Sequence, residues 1–87
     1  MSALTGELSF ASVPRLLAQA DRLAADARVD LSGVSKADSA GVALLLELTR
    51  RAKRAGRTIT FSGAPPQLRD LIHFFDLESA LQLDSPA

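Results

Sequence analysis

Eighty-seven residues, 47% hydrophobic and 23% charged, make one small globular domain with room for a single core. Ten basic and ten acidic residues cancel, which argues against a nucleic-acid or anionic-membrane role, since either needs a clear positive excess. Cysteine is absent and His73 is the only histidine, which excludes a disulfide framework, a thiolate nucleophile and a histidine–cysteine metal centre.

The chain opens with Leu4, Gly6, Leu8 and Phe10 alternating with Thr5, Glu7 and Ser9. That is the period of a half-buried strand with Phe10 on its apolar face. Ser12 is placed to cap a helix, and Pro14 suits its first turn because no helical partner awaits a proline N–H there. Val13, Leu16, Leu17, Ala20, Leu23 and Ala24 then form one helical stripe that fades near Ala25 to Ala27. Val29, Asp30, Leu31 and Ser32 give a second alternating strand, followed by a polar loop from Gly33 to Asp38.

Ser39 stands where a helix cap is expected, with its side-chain oxygen accepting a first-turn N–H. Ala40 and Gly41 add almost no side chain. The first-turn amides are then either approachable, at the positive helix end, by a phosphate, a carboxylate or a partner's polar loop, or Ser39 is only a cap and Gly41 only a packing residue. The helix runs from Ser39 to about Ala55. Val42, Leu44, Leu45, Leu46, Leu48, Thr49, Ala52 and Ala55 spread over an arc of roughly 200°. One sheet rarely covers so wide an arc, so part of it meets either a neighbouring helix or a partner. Arg50, Arg51, Lys53 and Arg54 read as a solvated face whose cations complement the helix C-terminus, and Gly56 as the residue that ends it.

Thr58 to Ser62 alternate as a third strand, and Gly63-Ala64-Pro65-Pro66 turns into a third helix. Leu68, Leu71, Ile72 and Phe75 form its stripe. Phe74 lies off the stripe and either covers the helix edge or makes an exposed contact, while His73 points to solvent. Asp76 to Gln82 read as one more helical turn with Leu77, Leu81 and Leu83 packing back, and Asp84 to Ala87 as a tail.

Alternating strands and helices imply an α/β fold with parallel strands. Each strand alternates, so the sheet has one apolar and one polar face. The expectation is a two-layer sandwich with helices on one face only, the other face meeting water or protein. No catalytic constellation is assembled: Ser39 has no histidine beside it, and the glycines form no phosphate-binding loop. Asp30 and Asp38, eight residues apart, are weak grounds for a cation. The chain reads as no enzyme, without cofactor or metal. No apolar run approaches the length of about 18 residues needed to span a bilayer, and no signal peptide is evident, so the expected location is cytoplasmic.

Val29-Asp30-Leu31-Ser32-Gly33-Val34, then Asp38-Ser39-Ala40-Gly41, then a leucine-rich helix, resemble the STAS domain, named for sulfate transporters and anti-sigma factor antagonists. The resemblance extends from Leu4 to Leu83 and implies one STAS domain over residues 1–87. It also implies that the strand the family usually carries first is absent, leaving a sheet edge bare or open to a homodimer. In the antagonists the serine matching Ser39 is phosphorylated by a partner kinase. Residues 42–56, and Pro65-Pro66-Gln67-Leu68, are similar to the STAS subunit of the Mla phospholipid transporter. That similarity implies a non-catalytic cytoplasmic subunit, peripheral to the inner membrane, that binds the ATPase of an ABC transporter maintaining outer-membrane lipid asymmetry. The contact residues implied are Asp38, Ser39, Ala40, Gly41 and Val42. The alternative implied is an anti-sigma factor antagonist, with an anti-sigma factor or serine kinase as partner.

Overall fold

A computed structural model describes residues 2–84 of the chain. The elements are β1 (Ser2–Leu8), α1 (Val13–Leu17), α2 (Ala20–Ala24), β2 (Arg28–Ala37), α3 (Ser39–Arg54), β3 (Thr60–Ser62), α4 (Pro66–Phe74) and β4 (Leu83–Asp84). The strands form one sheet in the order β1-β2-β3-β4, and every pairing is parallel. Leu4, Leu8, Val29, Leu31, Ile59 and Phe61 are buried on the helix side. Thr5 and Ser32 are exposed on the other, with Asp30, Thr60 and Ser62 half-buried. The alternation thus sorts the two faces as expected, and the architecture is a two-layer α/β sandwich.

α3 is the central helix. It packs on α1, α2, α4 and β2, and Val42, Leu44, Leu45, Leu48 and Ala52 are all buried. Its wide apolar arc is therefore taken up by helices on both flanks as well as the sheet. Gly41 lies against the end of β1: a Cβ there would stand 2.6 Å from the Leu8 carbonyl oxygen, so only glycine allows this approach. Gly56, at φ 74°, closes the helix by letting Arg57 N–H reach the Ala52 carbonyl at 2.8 Å.

Several expectations are corrected. The polar stretch from Gly33 to Ala37 is not a loop but the second half of β2, paired with Thr5 to Leu8 of β1. The β1–β2 ladder slips between Ala3 and Thr5 and again between Gly6 and Glu7, and Gly6 adopts φ 77°. Those bulges explain why burial in β2 steps from Leu31 to Val34 to Ala37 instead of alternating. β1 ends at Leu8, so Phe10 falls outside the strand and is 74% exposed. The expected single helix from Val13 is two short helices, broken at Ala18 and Gln19. Ser12 does precede α1, but its hydroxyl serves Ser9 N–H and the Glu7 carbonyl rather than the helix. β3 is shorter than expected. The turn expected after α4 begins with Asp76 at φ 58°, and the chain then supplies a fourth strand, tied to β2 by an Arg28–Asp84 ion pair of 2.5 Å. Of the expected tail, Asp84 belongs to β4 and residues 85–87 lie outside the described part.

Candidate functional site

The start of α3 is fixed by Asp38, not by Ser39. Because β2 stays paired as far as Ala37, Asp38 is the last extended residue, and its Oδ1 accepts Ala40 N–H at 2.8 Å. Its Oδ2 accepts Phe10 N–H at 3.2 Å, and its own N–H donates to the Leu8 carbonyl at 3.0 Å. One carboxylate thus ties the exit of β1 to the first turn of α3. Ser39 becomes the first helical residue. It is exposed, and its hydroxyl meets no partner among the described residues.

This arrangement engages three amides of the first turn within the chain itself. Ala40 N–H is satisfied by Asp38 Oδ1, while the Gly41 and Val42 amides donate to the Asp38 carbonyl at 3.0 and 3.4 Å. The five expected contact residues therefore sit at different depths. Ser39 is on the surface, Asp38 and Ala40 are half-buried, and Gly41 and Val42 lie beneath them. Asp30 is likewise occupied locally: its Oδ1 accepts Ser32 N–H at 2.9 Å, and that bond holds its carboxyl below the usual range. Among the described residues, no group of three or more acidic, histidine or cysteine side chains could hold a metal.

Two apolar grooves flank the N-terminal half of α3. One, of about 320 Å³, is lined by Ser39, Val42, Ala43, Leu46, Phe75 and Leu77. The other, of about 360 Å³, is lined by Val13, Leu17, Ala43, Leu44, Glu47 and Arg51. Ala43, exposed and small, is the low ridge between them. Phe10, Leu17, Phe74 and Phe75 are the exposed large hydrophobics among the described residues. Phe10 is bonded to Asp38, Leu17 and Phe75 line the grooves, and Phe74 packs edge-on against Phe75 with ring centroids 5.3 Å apart. Leu17 and Phe75 thus border the first half of α3, while Phe10 is placed near it by its backbone and Phe74 by its contact with Phe75.

Ala43, Leu46, Phe75 and Leu77 were not evident as site residues from sequence. Phe75 carries a core period, yet α4 ends at Phe74, and Phe75 is 44% exposed. Phe74 takes the exposed of its two readings, at 79%. His73 is exposed as expected and pairs with Glu78, whose carboxylate raises its pKa above the ordinary 6.5. Farther down α3, Glu47 accepts from Arg51 at 2.8 Å and Arg50 at 3.0 Å, and Arg51 also reaches Asp21 of α2 at 3.0 Å. No helix among the described residues is long and apolar enough to cross a membrane.

A family model described as "Mlab, STAS domain" matches residues 3–83. The intermembrane phospholipid transport system binding proteins MlaB of Escherichia coli (strain K12) and Shigella flexneri are each 39% identical over 49 residues, 56% of this chain. The chain spans about half the length of these curated relatives, the match covering 50% of each. Among solved structures, the unphosphorylated anti-sigma factor antagonist SpoIIAA superposes with a TM-score of 0.72 at 22% identity, covering 95% of this chain and 76% of that one.

Proposed function

Because the chain belongs to the STAS domain family, we propose that it is a non-catalytic docking subunit that binds the ATPase of an ABC phospholipid transporter. The observation that carries this reading is the pair of apolar grooves beside the first half of α3, one lined by exposed Phe75 and the other by exposed Leu17. Apolar side chains gathered on one face, with a polar centre, suit contact with another protein. The 39% likeness over 49 residues to MlaB, whose name places that protein in an intermembrane phospholipid transport system, supports a role in a system of that kind. The subunit would then be cytoplasmic and peripheral to the inner membrane, in a system that maintains outer-membrane lipid asymmetry.

Docking would proceed as follows. Ser39 forms the polar centre, its hydroxyl free to donate to or accept from the partner. Ala40 and Ala43 permit close approach, and partner side chains fill the two grooves beside them. Asp38, Gly41 and Val42 hold this surface in shape from beneath. Ser39→Glu tests the reading. An acid at the first helical position suits the helix dipole, so the variant should fold as the parent does. It should no longer retain the ATPase in a pull-down, because it brings an unpaired charge into an apolar interface. A folded Ser39→Glu protein that still binds the ATPase overturns this surface.

The exposed, unpartnered Ser39 hydroxyl also favours a second reading, an anti-sigma factor antagonist switched by phosphorylation. A phosphate would add about two negative charges at the centre of the same surface. A cognate serine kinase with ATP should then add one phosphate to the parent and none to Ser39→Ala, by intact-mass measurement; an unmodified parent discards it.

A further inference from the structure

At the opposite end of α3 lies a polar pocket of about 200 Å³, walled by Thr49, Lys53, Arg57, Thr58, Ser79 and Gln82 over a floor of buried Ile59 and Leu81. It is independent of the docking surface: Lys53 is 14 residues beyond Ser39, about 21 Å along the helix. Its lining holds two cations and no carboxylate. Arg50, Arg51 and Arg54 all turn to Glu47, whereas Lys53 makes no ion pair among the described residues. Arg57 also lines a second pocket beside Asp21 and Ala25, where its Nη1 donates to the Ala25 carbonyl at 3.3 Å, so Lys53 is the principal cation of this one. The hydroxyls of Thr58 and Ser79 and the Gln82 amide also lack partners among the described residues. Thr49 gives its hydroxyl to the Leu45 carbonyl at 2.9 Å and contributes shape only.

The negative end of the helix dipole does not defeat an anion here. Ala52 O accepts from both Ala55 and Arg57 N–H, and Lys53 O accepts from Gly56 N–H. Two full positive charges outweigh the residual half charge of a helix terminus. The volume is below the 300 Å³ or so typical of drug-sized ligand sites, so a whole nucleotide does not fit within it.

We propose that this pocket binds a phosphate group. A phosphate brings three acceptor oxygens and roughly two negative charges, matching two cations and several free donors, where a carboxylate brings one charge. The group can come from free phosphate or a small phosphomonoester; a phospholipid headgroup at a bilayer surface, a diester with one charge and two unesterified oxygens, is the weaker match.

The test is a titration of the ¹⁵N-labelled full chain with sodium phosphate, against sodium chloride at matched ionic strength. Saturable shifts confined to the amides of Thr58, Ile59 and residues 79–82 are expected. Lys53→Gln, a change at an exposed position, should leave the melting temperature unchanged and weaken the phosphate affinity by about tenfold or more. Sedimentation with phosphatidylglycerol and with phosphatidylcholine vesicles separates the sources. Sedimentation lost in Lys53→Gln and competed by phosphate assigns a headgroup, whereas saturable phosphate binding without sedimentation assigns a free anion. Shifts that do not saturate, that spread over every basic residue, or that survive Lys53→Gln overturn the proposal. Ser39→Glu should leave these shifts intact, so docking and anion binding fail separately.

Discussion

The two ends of α3 are built on opposite plans. At its start, Ser39 to Ala43 carry no side chain larger than valine, and Gly41 touches the backbone of β1. At its finish, Arg50, Arg51, Lys53, Arg54 and Arg57 place half of the ten basic residues within eight positions. A net charge of zero therefore conceals a polarised molecule. On the readings proposed here, the first end would work by shape, which acts only on contact, and the second by charge, which acts at a distance. With about 21 Å between Ser39 and Lys53 and a Debye length of about 8 Å at physiological salt, neither end feels the other's charges strongly.

Breaking the shape should cost most. Gly41→Val places a Cβ 2.6 Å from Leu8 O and 2.8 Å from Leu8 Cβ, so α3 and β1 must separate. A stability loss of about 3 kcal/mol is expected in chemical denaturation, and a loss below about 1 kcal/mol would show that this contact is loose. Next comes Asp38→Ala, which removes the cap of α3 and the bond to Phe10 N–H together, for about 1–2 kcal/mol. Ser39→Ala should cost less than about 0.5 kcal/mol, since it breaks no bond within the chain. Equal losses at 38 and 39 would contradict the assignment of the cap.

The smallest effect belongs to the charged end. Arg51, by hydrogen bonding, and then the charges of Arg50, Arg51 and Arg54 hold the Glu47 carboxyl below its ordinary 4.5. A depressed acid stabilises the fold above its unfolded pKa, and that contribution is lost as pH falls through the folded value. The melting-temperature gap between the parent and Glu47→Gln should thus be small at pH 7, narrow in 1 M salt and close on acidification below 4.5. A gap that persists in acid assigns the effect to packing.

Much of this was legible in the sequence because it depends on local pattern. Strand alternation sorted Leu4, Leu8, Val29, Leu31, Ile59 and Phe61 into the core, and Pro66 and Gly56 marked a helix start and a helix end. What escaped depends on distant pairing. Asp38 and Ser39 are both good caps by type, and the choice was made by β2, whose pairing of Ala37 with Leu8 holds Asp38 extended. The same pairing turns an apparent polar loop into strand. Phe10 and Phe75 keep the period of the elements before them, yet each lies one or two residues beyond its element's end. Element ends are weakly encoded, and here they are where the exposed aromatic surface arises.

The irregular edge of β1 bears on how the protein behaves in concentrated solution. Without net charge, copies repel one another little and collide freely. A regular strand at the rim of a sheet would then offer them a template. The slips at Ala3/Thr5 and Gly6/Glu7 put the extra residues on β2, and on β1 itself Gly6 at φ 77° interrupts the extended backbone that a strand from a second copy would have to follow. A homodimer at this edge would have to pair across that interruption, and so would the first layer of a cross-β stack. Gly6, where an added Cβ would meet nothing but φ is 77°, would thereby make such stacking of copies harder.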